Sequence, residues 1–142
     1  MKKLLFLFVG LFLVYTSSNI FAQNNTDQER NKEIAVKYHE LNPGNIDAIL
    51  AGDFTGHSNE KTWNRENHRQ ALNTTFKEIK VEDKIVHIVS ENDLVAIRFI
   101  RMGEVEGKSF SIDIMQFMQF KNGKIAEIWE VYDPNQYESQ VE

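Results

Sequence analysis

The dipeptide Asn122-Gly123 separates two long stretches rich in Ile, Val, Phe and Tyr, Lys108–Phe120 and Lys124–Tyr132. Both central residues of a type I′ turn need positive φ angles, which Asn and Gly adopt readily. The sequence therefore predicts a tight antiparallel hairpin at this point. Two further strands are predicted upstream, over Lys84–Val89 and Leu94–Arg101.

The register of this hairpin decides which side chains face the interior. A two-residue loop places Gln116 opposite Trp129, and strict alternation then brings Asp133 to the same side. We predict that these three residues border one interior hollow. On the same reasoning Glu130 and Asp113 point to the outer face.

The first half of the chain has helical periodicity. Thr26 and Glu29 form a predicted capping box for a first helix, and Asn45 is the predicted cap of a short second helix. A third helix is predicted over Arg65–Glu78 with Asn64 as its cap, and the segment that begins at Phe54 is predicted to be irregular. Helices followed by strands indicate an α+β fold, with three N-terminal helices packed on a curved, mainly antiparallel sheet.

Residues 1–22 have the layout of a secretory signal peptide. Lys2 and Lys3 precede an uncharged run, and Ala22 is a small residue suited to a cleavage site. We predict removal of residues 1–22, a linker over 23–30, a single domain over 31–142, and export to the periplasm or the medium. An uncleaved anchor helix is the alternative, but the apolar run Leu4 to Val14 is well short of the roughly 20 apolar residues that span a bilayer. We expect no stable membrane insertion after signal removal.

Composition excludes several kinds of function. The chain contains no cysteine, which rules out disulfides, thiol nucleophiles and thiolate metal sites. Its formal net charge of -5 argues against nucleic acid as a partner. No spacing of His and carboxylate residues indicates a metal site, and no phosphate-binding loop is present, so we predict neither a metal nor a cofactor.

Three segments resemble the SnoaL-like polyketide and ester cyclase family of the NTF2-like superfamily: AGDFTGH (Ala51 to His57), NDLVAIR (Asn92 to Arg98) and FKNGKIAEIWEVYD (Phe120 to Asp133). The resemblance implies a cone-shaped apolar pocket between sheet and helices in a fold that is often dimeric. Members include cyclases, isomerases, dehydratases and proteins that only bind ligands. Gln116 departs from the family, because it occupies a strand position where an acidic residue is common.

The candidate catalytic residues are His57 and Asp133. His57 follows Phe54 at a predicted pocket mouth, and an imidazole serves as acid, base or hydrogen-bond donor near neutral pH. Asp133 is predicted on the inner side at the end of the last strand, where it can act on a ligand or orient His57. The alternatives are a structural histidine and an Asp that closes a turn before Pro134.

The candidate ligand-binding residues combine polar groups with large apolar surfaces on the predicted inner side. A buried Gln116 needs a hydrogen-bond partner, which a ligand oxygen can supply. The two tryptophans offer flat surfaces for a ring or acyl group, although such residues also serve as core. The full set is Gln116, Trp129, Trp63, Phe54, Tyr38 and Arg98.

The leading hypothesis is a pocket that binds a small, largely apolar carbonyl-containing metabolite and catalyses an acid–base cyclisation, isomerisation or hydration. The alternative is a non-catalytic ligand-binding or dimeric protein-interaction domain of the cell envelope. Met115, Phe117 and Ile128 are predicted to form an outer apolar patch, which favours a homodimer.

Overall fold

The computed structural model describes residues 25–59, 61–74 and 79–141. Helix α1 covers residues 25–38. The remaining elements, in chain order, are α2 (Ile46–Ile49), β1 (Leu50–Ser58), β2 (Lys61–Asn64), α3 (Arg65–Asn73), β3 (Lys80–Glu91), β4 (Leu94–Val105), β5 (Lys108–Lys121), β6 (Lys124–Val131) and α4 (Pro134–Val141).

The six strands form one curved sheet in the order β2-β1-β6-β5-β4-β3. All neighbours are antiparallel except β1 and β6, which pair in parallel. The predicted α+β class is confirmed. The segment from Phe54 is not irregular, because β1 and β2 lie there. Its Gly and Ser residues have low strand propensity, and pairing with β6, distant in sequence, overrides that preference.

Helix α1 begins earlier than predicted. Residues 25–30 are already helical, so Thr26 lies within the helix instead of capping it, and the helix extends into the predicted linker. Ion pairs one turn apart, Asp27 with Arg30 and Glu29 with Lys32, support this exposed first turn. Further along, α1 buries Ala35 and Tyr38 against the sheet.

The caps of the two following helices differ. Asn64 caps α3 as predicted, since its side chain accepts from the Asn67 N–H while the Asn67 side chain accepts from the Asn64 N–H. Asn45 precedes α2 but makes no side-chain cap, because its Oδ1 accepts from the Asn42 N–H instead. The predicted third helix is confirmed as far as Asn73, and its predicted end at residues 75–78 lies outside the described residues.

The predicted hairpin forms, but its register changes after two pairs. Asn122 and Gly123 have φ angles of 53° and 72°, as a type I′ turn requires. Phe120 pairs with Ile125, yet the next pair is Gln119 with Glu127, so Ala126 is an extra residue in β6. This bulge reverses the alternation of the rest of β6.

The prediction that Gln116 and Trp129 share a face is therefore wrong. Gln116 pairs with Glu130 on the inner face, and Phe117 pairs with Trp129 on the outer face. The bulge allows Ile125 and Ile128 to be fully buried, although their spacing puts them on opposite sides of a regular strand. Burial of both side chains is the physical reason for the changed register.

The core lies between the inner sheet face and the helices. Its largest fully buried apolar side chains are Phe54, Phe99, Ile46, Leu50, Met118, Ile125, Ile128 and Val95. On the outer face Met115 and Phe117 are exposed as predicted, but Ile128 is in the core, and Trp129 and Val131 take its place in the outer patch.

No helix in the described ranges is long and apolar enough to cross a membrane. The predicted signal peptide, residues 1–22, lies outside these ranges.

Candidate functional site

A cavity of about 650 Å³ opens between the inner face of the sheet and helices α1 and α3. Its wall is mainly apolar and aromatic, with a small set of polar groups, which is the usual composition of a small-molecule site. The described residues that line it are Tyr38, His39, Leu41, Ser58, Lys61, Trp63, Asn67, His68, Ala71, Leu72, Ile79, Val81, Asp83, Arg101, Glu130 and Tyr132.

Glu130 supplies a carboxylate to this cavity. Gln116, which is 1% exposed, donates from Nε2 to Oε2 of Glu130 at 2.5 Å, and the Ser58 hydroxyl donates to Oε1 at 3.5 Å. Oε1 of Gln116 has no hydrogen-bond partner among the described residues. Gln116 therefore lies behind the cavity wall and orients Glu130, a residue that the sequence assigned to the outer face.

A second polar group joins three elements. Asp83 on β3 accepts from Nε and Nη2 of Arg101 on β4 at 2.8 and 2.7 Å, and its Oδ2 lies 2.8 Å from Nδ1 of His39 after α1. Burial alone would raise the pKa of the Asp83 carboxyl, but the hydrogen bonds from Arg101 and His39 outweigh burial and hold this pKa below its usual range. Asp83 is therefore a carboxylate whose charge is already compensated.

Three rings form one wall of the cavity. The His68 ring stacks on Tyr38 with centroids 5.7 Å apart and on Trp63 at 6.5 Å. Burial, followed by the positive charge of Arg101, lowers the pKa of His68 to about 4. Burial, followed by the negative charge of Glu130, raises the pKa of Tyr38 well above its ordinary value. At neutral pH the cavity wall thus contains an uncharged imidazole and a protonated phenol.

The position of Trp63 depends on a glycine. A Cβ atom at Gly56 would lie 2.1 Å from Cε2 of the Trp63 indole, so only glycine allows the ring to lie against β1. Nε1 of Trp63 is buried and has no hydrogen-bond partner among the described residues. The tryptophan that the sequence proposed for ligand binding therefore forms a fixed part of the wall.

His57 and Trp129 lie together on the outer face, away from the cavity. Nε2 of His57 is 2.8 Å from Oε1 of Glu127, and its ring stacks on Trp129 with centroids 5.7 Å apart. Trp129 is 38% exposed. The predicted places of Trp129 at the interior hollow and of His57 at the pocket mouth are wrong, because the bulge at Ala126 turns Trp129 outward and His57 is its partner on β1.

Three other predicted site residues also lie outside the cavity wall. Asp133 is exposed, and its Oδ1 accepts from the backbone N–H of Asn135 at 3.0 Å, which is the turn-closing arrangement before α4. Arg98 forms an outer-face ion pair with Asp113 at 2.6 Å. Phe54 is a core residue. Of the predicted set, Tyr38 and Trp63 line the cavity, and Gln116 reaches it through Glu130.

The sequence interpretation selected none of His39, His68, Asp83 and Arg101, and it assigned Glu130 to the outer face. One signal was available in the last strand. Ile125 and Ile128 are both strongly apolar, but residues three positions apart lie on opposite faces of a regular strand. If both are buried, the strand must contain a bulge, and a bulge between them places Glu130 on the inner face. No comparable local signal indicates that His39, Asp83 and Arg101 meet.

A smaller cavity of about 270 Å³ adjoins the first and shares with it Ile79, Val81, Arg101, Glu130 and Tyr132. Phe110, Tyr137 and neighbouring apolar residues of β5 and α4 form its far side. Arg101 and Glu130 therefore border both compartments. Among the described residues, no group of three or more His, Asp or Glu side chains is placed to hold a metal ion.

Comparisons with known proteins agree with this architecture. The sequence pattern of the SnoaL-like polyketide cyclase family matches residues 32–141. No curated protein matches the chain.

Solved structures with the same fold include IdmH from Streptomyces antibioticus, with 19% identity and a TM-score of 0.65 over 78% of this chain and 96% of that one. A protein from Jannaschia sp. CCS1 assigned to the SnoaL-like polyketide cyclases has 10% identity and a TM-score of 0.71, covering 80% and 92%. An LEH-like epoxide hydrolase from M. tuberculosis has 11% identity and a TM-score of 0.69, covering 84% and 91%. At these identities the structures show a shared fold, and the family match shows that the chain belongs to the SnoaL-like polyketide cyclase family.

Proposed function

We propose that the cavity binds a small, largely apolar carbonyl compound and that Glu130 removes a proton from the carbon next to its carbonyl group. The observation that carries the proposal is the Glu130 carboxylate, held by the buried Gln116 amide at 2.5 Å on the wall of a cavity of about 650 Å³. A positioned carboxylate in an apolar site is a suitable general base for this reaction.

Asp83 is the less suitable base. Both of its oxygens accept hydrogen bonds from Arg101 or His39, and its lowered pKa makes it a weak proton acceptor. Glu130 has no such cationic hydrogen-bond partner among the described residues, since its donors there are the neutral Gln116 and Ser58. Proton transfer to Glu130 therefore does not break an ion pair.

Tyr38 can stabilise the charge that forms on the substrate. When the proton moves from carbon to a Glu130 oxygen, the C–H electron pair shifts into a new C=C bond, and negative charge accumulates on the carbonyl oxygen. The buried Tyr38 phenol remains protonated at neutral pH and can donate a hydrogen bond to that oxygen. Return of the proton at another carbon gives isomerisation, and attack of the carbanion on a second carbonyl gives cyclisation.

Solvent deuterium exchange into 2-tetralone, a bicyclic ketone with acidic protons next to its carbonyl group, tests this role. The protein should accelerate exchange above the buffer rate, and Glu130→Gln should reduce the acceleration by about two to four orders of magnitude. Glu127→Gln on the outer face is the matched control and should exchange like the wild type. Unchanged exchange in Glu130→Gln would reject the assignment, and binding of 2-tetralone without exchange would favour the non-catalytic alternative.

A second copy of the chain is the proposed partner of the outer face. Two exposed cross-strand pairs, Met115 with Val131 and Phe117 with Trp129, form an apolar patch on neighbouring strands. Phe117→Asp should convert a dimer to a folded monomer in light-scattering chromatography, whereas Val36→Asp, an exposed position on α1, should leave the dimer intact. A wild-type monomer at high concentration would overturn this proposal.

Export is proposed from the first 22 residues alone. Lys2, Lys3 and the uncharged run that follows have signal-peptide character, with cleavage after Ala22. Expression of the full chain in a bacterium, followed by fractionation and N-terminal sequencing, should yield an exported protein that begins at Gln23. Recovery of an intact N-terminus in the membrane fraction would support the anchor alternative.

A further inference from the structure

Lys61 is a cation of the cavity wall that the fold itself does not use. Arg101 and Lys61 are the only arginine and lysine among the described residues that line the cavity. Arg101 donates two hydrogen bonds to Asp83, so its charge is already compensated. The exposed ammonium group of Lys61 makes no hydrogen bond or ion pair with any residue in the described ranges. Lys61 is therefore the cation that remains available to a ligand.

The sheet register aligns Lys61 with the proposed base. Lys61 of β2 pairs with Ser58 of β1, and Ser58 pairs with Glu130 of β6, so the three residues form one row across three strands. All three line the cavity. Neighbouring strands are about 4.8 Å apart, so the backbones of Lys61 and Glu130 are separated by about 10 Å. A ligand with its carbonyl group near Glu130 can therefore extend as far as Lys61.

The same side of the cavity offers a second donor and an apolar surface. Asn67, in the first turn of α3, uses its Oδ1 to accept from the Asn64 N–H, so its amide NH₂ is the group left for a ligand. The Trp63 indole, which lies against β1 at Gly56, is on the same face of β2 as Lys61. These side chains suit a ligand with an apolar body and one anionic group.

We propose that the ligand carries a carboxylate and that Lys61 binds it, with the Asn67 amide as a second donor. The proposal rests on the proposed function and names the substrate class of that site, an anionic carbonyl compound whose carboxylate is several bonds away from the acidic carbon. An ammonium group binds a carboxylate through charge-assisted hydrogen bonds. In this role Lys61 is a specificity-determining residue, because a neutral ligand of the same shape cannot form the ion pair.

A matched pair of probes tests the proposal: the 6-carboxylate and the 6-carboxamide of 2-tetralone, which are similar in shape and differ in charge. The wild-type protein should bind the carboxylate about threefold to tenfold more tightly in calorimetric titration, a gain typical of an ion pair at a solvent-exposed rim. Because the formal net charge of the chain is -5, its overall field disfavours an anion, and the preference must come from a local cation. Added salt should reduce the preference.

Two substitutions of Lys61 and one control assign the preference to this residue. Lys61→Met should make the two affinities equal within error, and Lys61→Arg should keep the preference for the carboxylate. Lys84→Met is the matched control, because Lys84 is an exposed lysine of β3 outside the cavity wall and its replacement removes the same unit of charge. This control should keep the wild-type preference. Circular dichroism checks that each variant folds, as expected for changes at exposed positions.

The possible results separate this proposal from the proposed function. Equal affinity of the wild type for the two compounds, or a preference that survives Lys61→Met, would overturn the proposal and leave the proposed function intact. Loss of the preference in Lys84→Met as well would assign it to overall charge and would also overturn the proposal. Failure of both compounds and of 2-tetralone itself to bind would overturn the proposed ligand site and this proposal with it.

Discussion

Two arginines of strand β4 pair with aspartates of the neighbouring strands, one on each face of the sheet. Arg101 meets Asp83 on the inner face at 2.7 Å, and Arg98 meets Asp113 on the outer face at 2.6 Å. The inner Asp83 side chain is 6% exposed, whereas those of Arg98 and Asp113 are 41% and 42% exposed. The same chemical pair therefore exists in two dielectric environments within one strand.

The difference shows why geometry alone does not identify a functional pair. On the outer face water solvates both charges whether or not they meet, so their attraction is screened. On the inner face each charge depends on its partner, and the pair also fixes His39 and borders the cavity. Four measurements test how far the two faces differ, and they run from the largest expected effect to the smallest.

Arg101→Met should lower the free energy of unfolding by about 3 kcal/mol or more, because it leaves the buried Asp83 carboxylate without its main partner. Arg98→Met is the matched control on the outer face and should change stability little. Urea unfolding followed by circular dichroism measures both. Equal losses in the two variants would remove the distinction between the faces.

The protein should lose stability as the pH falls from about 6.5 to about 4, in part through His68. Its folded-state pKa of about 4 lies below the ordinary value of 6.5, so between these values the unfolded chain binds a proton that the folded chain does not. Stability from this group is complete above pH 6.5 and decreases by at most about 3 kcal/mol at pH 4. Urea unfolding across this range should show a smaller decrease in His68→Gln and the wild-type decrease in His87→Gln. Parallel curves for the wild type and His68→Gln would contradict the assignment.

Gly56→Ala should destabilise the protein by about 1–3 kcal/mol and displace the Trp63 indole, since the new methyl group overlaps that ring. Gly52→Ala on the same strand has nothing within 4 Å of its Cβ and should be close to neutral. Thermal unfolding gives the stabilities, and a shift in tryptophan emission reports movement of the ring. Wild-type emission in Gly56→Ala would show that the cavity wall tolerates the methyl group.

The smallest effect is expected for the outer pair itself. A double-mutant cycle with Arg98→Met and Asp113→Asn should give a coupling near the error of measurement, because both side chains are well solvated. Added salt should reduce whatever coupling is present. A large, salt-independent coupling would indicate that the outer face is covered, as in a dimer.

Local signals in the sequence predicted most of the fold. The α+β class, the Asn64 cap and the Asn122-Gly123 turn depend on residues close in the chain, and the structure confirms them. The sequence analysis missed strands β1 and β2. Hydrogen bonds of β1 to β2 and to β6 hold these strands in the sheet, and the pattern of apolar residues does not reveal such pairing. The C-terminal helix α4 was not predicted either.

The candidate site was the least predictable part. A single extra residue, Ala126, exchanges the faces of Glu130 and Trp129, so alternation counted from the turn assigns both to the wrong side. Tyr38 and Trp63, which the sequence analysis selected for ligand binding, do line the cavity, and their binding role stays a prediction.

The sequence by itself determined the family, the first three helices, the last four strands and the apolar residues available for a core, since these follow from local propensity and pattern. Only the tertiary structure decided that Gln116 orients Glu130 and that His39, Asp83 and Arg101 meet on one wall. These residues come from different elements, and the bonded pair His39 and Asp83 is 44 positions apart in the chain. Their meeting depends on sheet register and helix docking, which the whole molecule selects by burying its apolar side chains.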